Sequence, residues 1–161
     1  MTALRLRAAV AADLPWIVAL EHRPDMLAFI GGSDLDEHRR FLADPDFSQV
    51  IAEDAGAPVG YALTEGYVSM PGALLLRRIA VTGAARGTGS DFLRRLIDAA
   101  FATGIARYKL RVFEDNHRAR RLYARFGFVD DPDGAPQHHS RRDGVDCQSF
   151  ALVLYQTDWR L

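Results

Sequence analysis

Apolar and polar positions along the chain change period several times, and each change marks an element. Leu4-Arg5-Leu6-Arg7-Ala8 alternates residue by residue, the pattern of a half-buried strand. Asp13-Leu14-Pro15-Trp16 then starts a helix with Asp13 as cap, and Trp16, Ile17 and Leu20 share one helical face. Pro24 ends that helix or bends the chain before Phe29-Ile30-Gly31-Gly32, where the glycine pair marks a loop. Asp34 with Glu37 forms a capping box for a second helix through about Ala43, which Asp44-Pro45 stops. Ser48 to Glu53 and Val59 to Tyr67 read as strands joined by the turn Asp54-Ala55-Gly56-Ala57-Pro58, and a third strand covers about Ala73 to Val81.

A helical period follows, in which Phe92, Leu93, Leu96, Ile97, Ala100 and Phe101 form a core face and Gly104 stands at the C-terminal end. Tyr108 to Phe113 is a strand, Asn116 starts a helix ending near Phe126, and Gly127-Phe128-Val129 turns into a short strand. Asp130 to Asp146 is polar and rich in Gly, Pro, Arg and His, the composition of a mobile loop, before a last strand from about Ser149 to Tyr155. The order predicts an α/β fold of α+β mixed type: a central mixed sheet of about seven strands flanked on both faces by four helices. The crossover from Leu74 through Phe113 is expected to be parallel and right-handed, with the ligand at the open C-terminal ends of its strands.

Composition narrows the class. With 161 residues and 48% hydrophobic content, the chain is expected to form a single domain over residues 1–161 with a continuous core. A net charge of −1 provides no long-range field toward nucleic acid or an anionic membrane, so any anion site is local. The single cysteine, Cys147, excludes an internal disulfide and a Cys-rich zinc site. The adjacent His138-His139 pair suits no single metal, and the segment around it reads as a solvated loop. Without a membrane-length apolar run or a signal-peptide core, the protein is read as soluble and cytoplasmic, without metal, nucleic-acid or membrane partners.

Two stretches carry candidate chemistry. Leu74 to Leu96 runs from an apolar strand through Arg86-Gly87-Thr88-Gly89 into an amphipathic helix. The unpaired N–H groups and positive dipole end of that helix suit a phosphate. The turn is not a dinucleotide fingerprint, since Phe92 stands at the third glycine position, and it lacks the Gly-Lys-Ser/Thr of a P-loop. No Gly-x-Ser-x-Gly elbow of a serine hydrolase occurs. In the second stretch, Asn116, Ala119 and Tyr123 fall on one helical face, which directs a capping amide and a phenol toward a common cleft while Leu122, Phe126 and Phe128 enter the core.

Together, Arg86-Gly87-Thr88-Gly89 opening a helix, Asn116 to Tyr123 (NHRARRLY) and Phe126-Gly127-Phe128 resemble the N-acetyltransferases of the GNAT superfamily. The strand LRRIAV, the helix ending IDAAF and the Asn-x-x-Ala-Arg-x-Leu-Tyr motif resemble its ribosomal-protein-alanine acetyltransferase-like branch. The resemblance implies acetyl-CoA as co-substrate, in a splayed, V-shaped cleft between the strand ending at Val81 and that of Tyr108 to Phe113. Ile79, Ala80 and Val81 would pair with the pantetheine arm, and Arg86, Gly87, Thr88, Gly89 and Ser90 would wrap the pyrophosphate. Asn116 would bond the pantetheine region, and Tyr123 would sit at the thioester sulfur as proton donor. A neutral primary amine would attack the thioester directly, with a backbone N–H near Val81 steadying the oxyanion.

Two positions depart from the family pattern. Asp91 stands where the pyrophosphate loop usually has Gly or Ala, and its carboxylate repels phosphates unless it points outward. Leu75 stands where relatives often carry a glutamate, leaving Glu21, Glu65 and Glu114 as substitute bases acting through water. A non-catalytic acyl-CoA-binding module is the alternative reading. On the acceptor side, Glu21, Phe29 and Tyr67 are the candidate substrate residues, and the amine could belong to a protein N-terminus, a metabolite or an antibiotic. The apolar strand ending Leu152-Val153-Leu154-Tyr155 is a candidate edge for a homodimer.

Overall fold

The computed structural model describes residues 3–83, 87–141 and 143–159. In chain order the elements are β1 (Arg5–Ala8), α1 (Leu14–Glu21), α2 (Pro24–Ile30), α3 (Leu35–Ala43), β2 (Phe47–Asp54), β3 (Ala57–Glu65) and β4 (Ala73–Val81). Then come α4 (Thr88–Ala102), β5 (Arg107–Phe113), α5 (His117–Phe126), β6 (Val129–Asp130), β7 (Gln137–Ser140) and β8 (Asp146–Tyr155). The strands form one mixed eight-stranded sheet in the order β1-β2-β3-β4-β5-β8-β6, with β7 also on β8. Every pairing is antiparallel except β4 with β5.

The mixed α/β class holds, and three details differ from expectation. Pro24 begins a helix: Arg23 before it is extended, and a proline in a first helical turn lacks only an N–H that the helix does not use. The described residues therefore contain five α-helices. The expected loop from Asp130 to Asp146 contains β7, whose Gln-His-His-Ser sequence pairs Gln137 with Ser149 through Ser140 with Asp146. A fully polar strand leaves no alternation to read. The strand expected to form a dimer edge is partly interior: β8 has β5 along Ser149–Tyr155 on one side, and on the other β7 at Asp146–Ser149 and β6 at Leu152 and Val153.

The sheet separates two apolar layers. On one face Ala52, Ala62, Leu74 and Leu76 pack with Phe92, Leu93 and Ile97 of α4 and Tyr123 of α5. On the other, Ile51, Tyr61, Leu63 and Ala80 pack with Leu14, Ile17 and Leu20 of α1. Neighbours such as Ile51 and Ala52 take opposite faces, as strand geometry demands. In β4, however, Leu76 and Ala80 are an even number of positions apart yet lie on opposite faces. The register explains this: Leu63 pairs with Arg78 and Thr64 with Leu76, so Arg77 is an extra, bulged residue. Beyond it the parity of the strand inverts.

The inversion turns Arg78 toward the α1–α3 layer, where it completes a buried polar network. Arg78 donates to Glu21 Oε2 at 2.9 Å and to Ser33 Oγ at 2.9 Å. The Ser33 N–H donates to Glu21 Oε1 at 3.3 Å, and His38 Nε2 donates to the same oxygen at 2.5 Å. Gln49 Nε2 donates to the His38 carbonyl at 3.1 Å, which aims Gln49 Oε1 at His38 Nδ1, 2.7 Å away, as acceptor. Glu21 and His38 are fully buried. Burial opposes ionisation of Glu21, but the His38 hydrogen bond and the charge of Arg78 outweigh it and hold the carboxyl below the usual glutamate value.

Removing one member of a buried ion pair costs about 3–5 kcal/mol, because the other charge is left uncompensated. Glu21→Gln is therefore expected to lower the unfolding free energy from urea melts at neutral pH by about 3 kcal/mol. A carboxyl depressed in the folded state contributes stability above its unfolded pKa and loses it as pH falls through the folded value. The wild-type advantage should thus shrink in acid, and equal stability at neutral pH would show that the network contributes nothing.

Candidate active site

The bulge also shapes the cleft. β4 pairs with β5 only from Ala73 with Arg107 to Leu76 with Leu110. Past that point β5 continues against β8 alone, with Arg111, Val112 and Phe113 facing Ala151, Phe150 and Ser149. Ile79, Ala80 and Val81 keep Ala62, Tyr61 and Gly60 of β3 on one edge, and no strand of the described residues pairs with the other. A sheet splayed in this way presents unpaired backbone groups inside a V, where an extended ligand can pair as an added strand.

Just beyond Val81 the chain enters α4. Gly87 takes φ +86°, a conformation that favours glycine, and accepts the first helical bond from the Asp91 N–H at 3.0 Å. Gly87 has no side chain to cap the helix, so among the described residues no side-chain cap takes the first-turn N–H groups of Thr88, Gly89 and Ser90, the groups that suit an anion. Arg86 lies outside the described residues. Asp91 meets Arg95 one turn on, Oδ1 to Nε 3.2 Å, so its charge is paired along the helix surface.

Across the cleft, Asn116 caps α5 by accepting the Ala119 N–H on Oδ1 at 3.3 Å. The two N–H bonds of its amide are the donors left for a ligand. Tyr123 lies two turns into the helix, buried, with its ring edge-on to Phe128 at 5.6 Å. Burial alone pushes its phenol up to about 12, so the group is a neutral donor throughout the physiological range. Tyr123, Ala119, Ile79 and Val81 belong to one apolar cluster, which joins the candidate phenol to the open edge of β4.

The acceptor-side residues are placed less uniformly. Glu21 is enclosed in the network described above. Tyr67 is 46% exposed in the turn after β3, whose Val68 and Ser69 N–H groups donate to Asp46 at 2.8 Å. Phe29 of α2 is 37% exposed, with the Arg141 guanidinium 5.2 Å from its centroid. Of the other carboxylates, Glu114 accepts the Gln148 N–H at 3.0 Å. Glu65 stands directly opposite Leu75 in the β3–β4 register, half-buried and 3.5 Å from Arg77. Cross-strand partners share a face, so Glu65 holds its carboxylate beside Leu75.

Residue reading missed Arg78, His38 and Arg141. Arg141 lies in the segment read as solvated, yet its side chain is only 5% exposed. Its guanidinium sits 5.2 Å from both Phe29 and Phe113 and pairs with Asp115 and Asp143 at 2.7 Å. One cation thereby fastens the β7–β8 hairpin to α2 and to the end of β5. The signal for Arg78 was present: two successive arginines interrupt an otherwise apolar strand. Among the described residues no cluster of His, Cys, Asp and Glu could hold a metal, and no helix is long and apolar enough to cross a membrane.

Comparison with known proteins agrees with this geometry. The sequence model of the acetyltransferase (GNAT) family matches residues 13–128. N-alpha-acetyltransferase 40 of Saccharomyces cerevisiae is 37% identical over 127 residues, covering 66% of this chain and 42% of that protein, so the chain spans less than half the length of this relative. Among solved structures, spermidine N-acetyltransferase from Vibrio cholerae, in complex with CoA and spermine, superposes with a TM-score of 0.81 at 19% identity over 97% of both chains. The ribosomal-protein-S18-alanine N-acetyltransferase of Escherichia coli gives a TM-score of 0.75 at 19% identity, over 94% of this chain and 93% of that one. These structures share the fold, and the family match covers most of the cleft-forming elements. The chain belongs to the acetyltransferase (GNAT) family.

Proposed function

We propose that the protein is an acetyl-CoA-dependent N-acetyltransferase that moves the acetyl group to a primary amine by direct attack on the thioester. The observation that carries this reading is the unpaired edge of Ile79–Val81, which ends beside the uncapped start of α4 and shares a cluster with Tyr123. An extended pantetheine arm fits the edge as a strand would, and a pyrophosphate fits the first turn of α4. Gly87 supplies the turn that exposes those N–H groups, and a side chain there would be strained at its φ. Arg86 completes the proposed phosphate contacts from sequence alone.

In the proposed reaction the amine lone pair attacks the carbonyl carbon, a backbone N–H near Val81 bonds the oxygen as it gains charge, and the C–S bond breaks. Tyr123 donates a hydrogen bond to the departing sulfur. Complete transfer of its proton runs uphill, since a thiol of about 8.5 is the stronger acid, so the proton that finally reaches the sulfur balances the one lost by the amine. Glu65 is the carboxylate best situated to take that amine proton through water, because it faces Leu75 across the strands and keeps some exposure. Glu21 is better assigned to holding the fold than to the chemistry. The acceptor is assigned only as a primary amine, whether of a protein N-terminus, a polyamine-like metabolite or an amine antibiotic.

Thiol release from acetyl-CoA across a panel of amines tests the assignment, with turnover expected on at least one class. Tight acetyl-CoA binding without turnover on any amine would favour the non-catalytic acyl-CoA-binding module. Tyr123→Phe is expected to lower kcat about a hundredfold while changing acetyl-CoA affinity little, and an unchanged kcat would remove the donor role. Because the phenol titrates near 12, the wild-type kcat profile should show no descending limb from this group below about pH 10. Glu65→Gln should lower kcat about tenfold at neutral pH and progressively less as the amine deprotonates unaided. A loss independent of pH would assign Glu65 to structure.

A further inference from the structure

On the flank of α5 away from β4, the helix and the sheet beneath it enclose a cavity of about 560 Å³, a volume within the ordinary range for a small-molecule site. Its floor comes from β5, β8 and β6. Val112 faces Phe150 across the strands, Leu152 lies two residues on and so on the same face, and Asp130 is paired with Leu152. The cleft proposed for acetyl-CoA opens between β4 and β5, whereas this floor begins at β5 and continues to the next strands in the sheet order. None of Ile79, Ala80, Val81, Asn116 and Tyr123 lines it.

The wall is one stripe of α5. His117, Arg120, Arg121 and Ala124 recur at spacings of three and four residues, about 100° around the helix from the stripe of Asn116, Ala119 and Tyr123. Among the described residues no carboxylate pairs with His117, Arg120 or Arg121. Arg120 is held in place, because its Nη1 donates to the Glu114 carbonyl at 2.9 Å and its guanidinium lies 5.2 Å from the centroid of the Phe150 ring on the floor. Arg121 is exposed and without such a tether. Two guanidiniums over an apolar floor suit an anion that carries an apolar body, since each can donate in a charge-assisted fork. Val129, at the same cavity, is 51% exposed and would be covered by that body. Asp130 adds one negative charge to the lining, which favours a monoanion such as a carboxylate over a phosphate dianion.

We propose that this cavity is a second ligand site, separate from the cleft, for a small carboxylate with an apolar body. The carboxylate is shared by Arg120 and Arg121, and the body lies on Phe150, Leu152 and Val129. No residue of the cleft takes part, so the assignment is independent of the acetyl-CoA reading, and both sites can be filled at once. The two share only α5, which presents one stripe to each.

Amide chemical-shift titration of the full chain with phenylacetate, phenethyl alcohol and phenyl phosphate tests this without knowledge of the acceptor amine. Phenylacetate is expected to bind about tenfold or more tightly than the alcohol, the effect of a charge-assisted contact. It should also bind more tightly than the phosphate, with shifts centred on Asp130, Phe150 and the cavity stripe of α5. R121Q, a change at an exposed position, should weaken phenylacetate about tenfold and leave the alcohol unchanged. D130N should narrow the gap between phosphate and carboxylate, and saturating acetyl-CoA should leave phenylacetate bound. Equal affinity for acid and alcohol, tighter binding of the phosphate, no effect of R121Q, or displacement of phenylacetate by acetyl-CoA overturns the assignment. Concentration-dependent association that shifts these same amides and excludes phenylacetate would put a second copy of the chain there, and overturns it as well.

Discussion

One extra residue in one strand, Arg77 in β4, governs the working half of the molecule. A bulge inverts the facing of everything beyond it and bends the strand that carries it. Here it coincides with the point where β4 and β5 cease to pair, after Leu76 and Leu110. The edge of Ile79–Val81 is thus exposed within the sheet rather than at its rim. A free edge invites promiscuous pairing, and this one lies inside a V beside the start of α4 and the cluster of Tyr123, where an extended ligand of the right chemistry can occupy it.

An open strand needs anchoring, and the parity change supplies the anchor. Arg78 turns away from the α4–α5 layer and reaches Glu21, whose carboxylate also receives His38 and the Ser33 backbone. Charges buried this deeply stabilise only when every partner is present, so α1, α3, β2 and β4 are tied together on the sheet face opposite α4 and α5. A second cation, Arg141, does comparable work on the outside, holding the β7–β8 hairpin against Phe29 and Phe113. The cleft lies between elements fixed by two arginines, neither of which need touch a substrate to influence its position.

Most of the fold was legible because its elements obey simple periods. The core faces of α4 and β5 are written in helical and alternating apolar spacing, while β2 and β3 read as short apolar runs on either side of a turn. Misreadings arose where local chemistry is ambiguous. Pro24 can end one helix or begin another, and only the extended Arg23 before it decides. Gln137–Ser140 has no apolar face, so its pairing to β8 is a tertiary event without a local signature. In the site, Gly87 and Asn116 were readable because a positive-φ turn and an N-cap each require a particular residue type. Glu21 was misjudged for the opposite reason: its partner Arg78 is 57 positions away, and its facing depends on a bulge that no residue count displays.

The central claim is that the β4 edge beyond Arg77 is where the thioester-bearing arm lies. Hydrogen exchange of the backbone amides of Ile79, Ala80 and Val81, with and without saturating acetyl-CoA, addresses it directly. The account predicts that those amides of the segment not already bonded to β3 exchange freely in the unliganded chain and become strongly protected when the ligand pairs with them. Binding of acetyl-CoA with no added protection along Ile79–Val81 would contradict it.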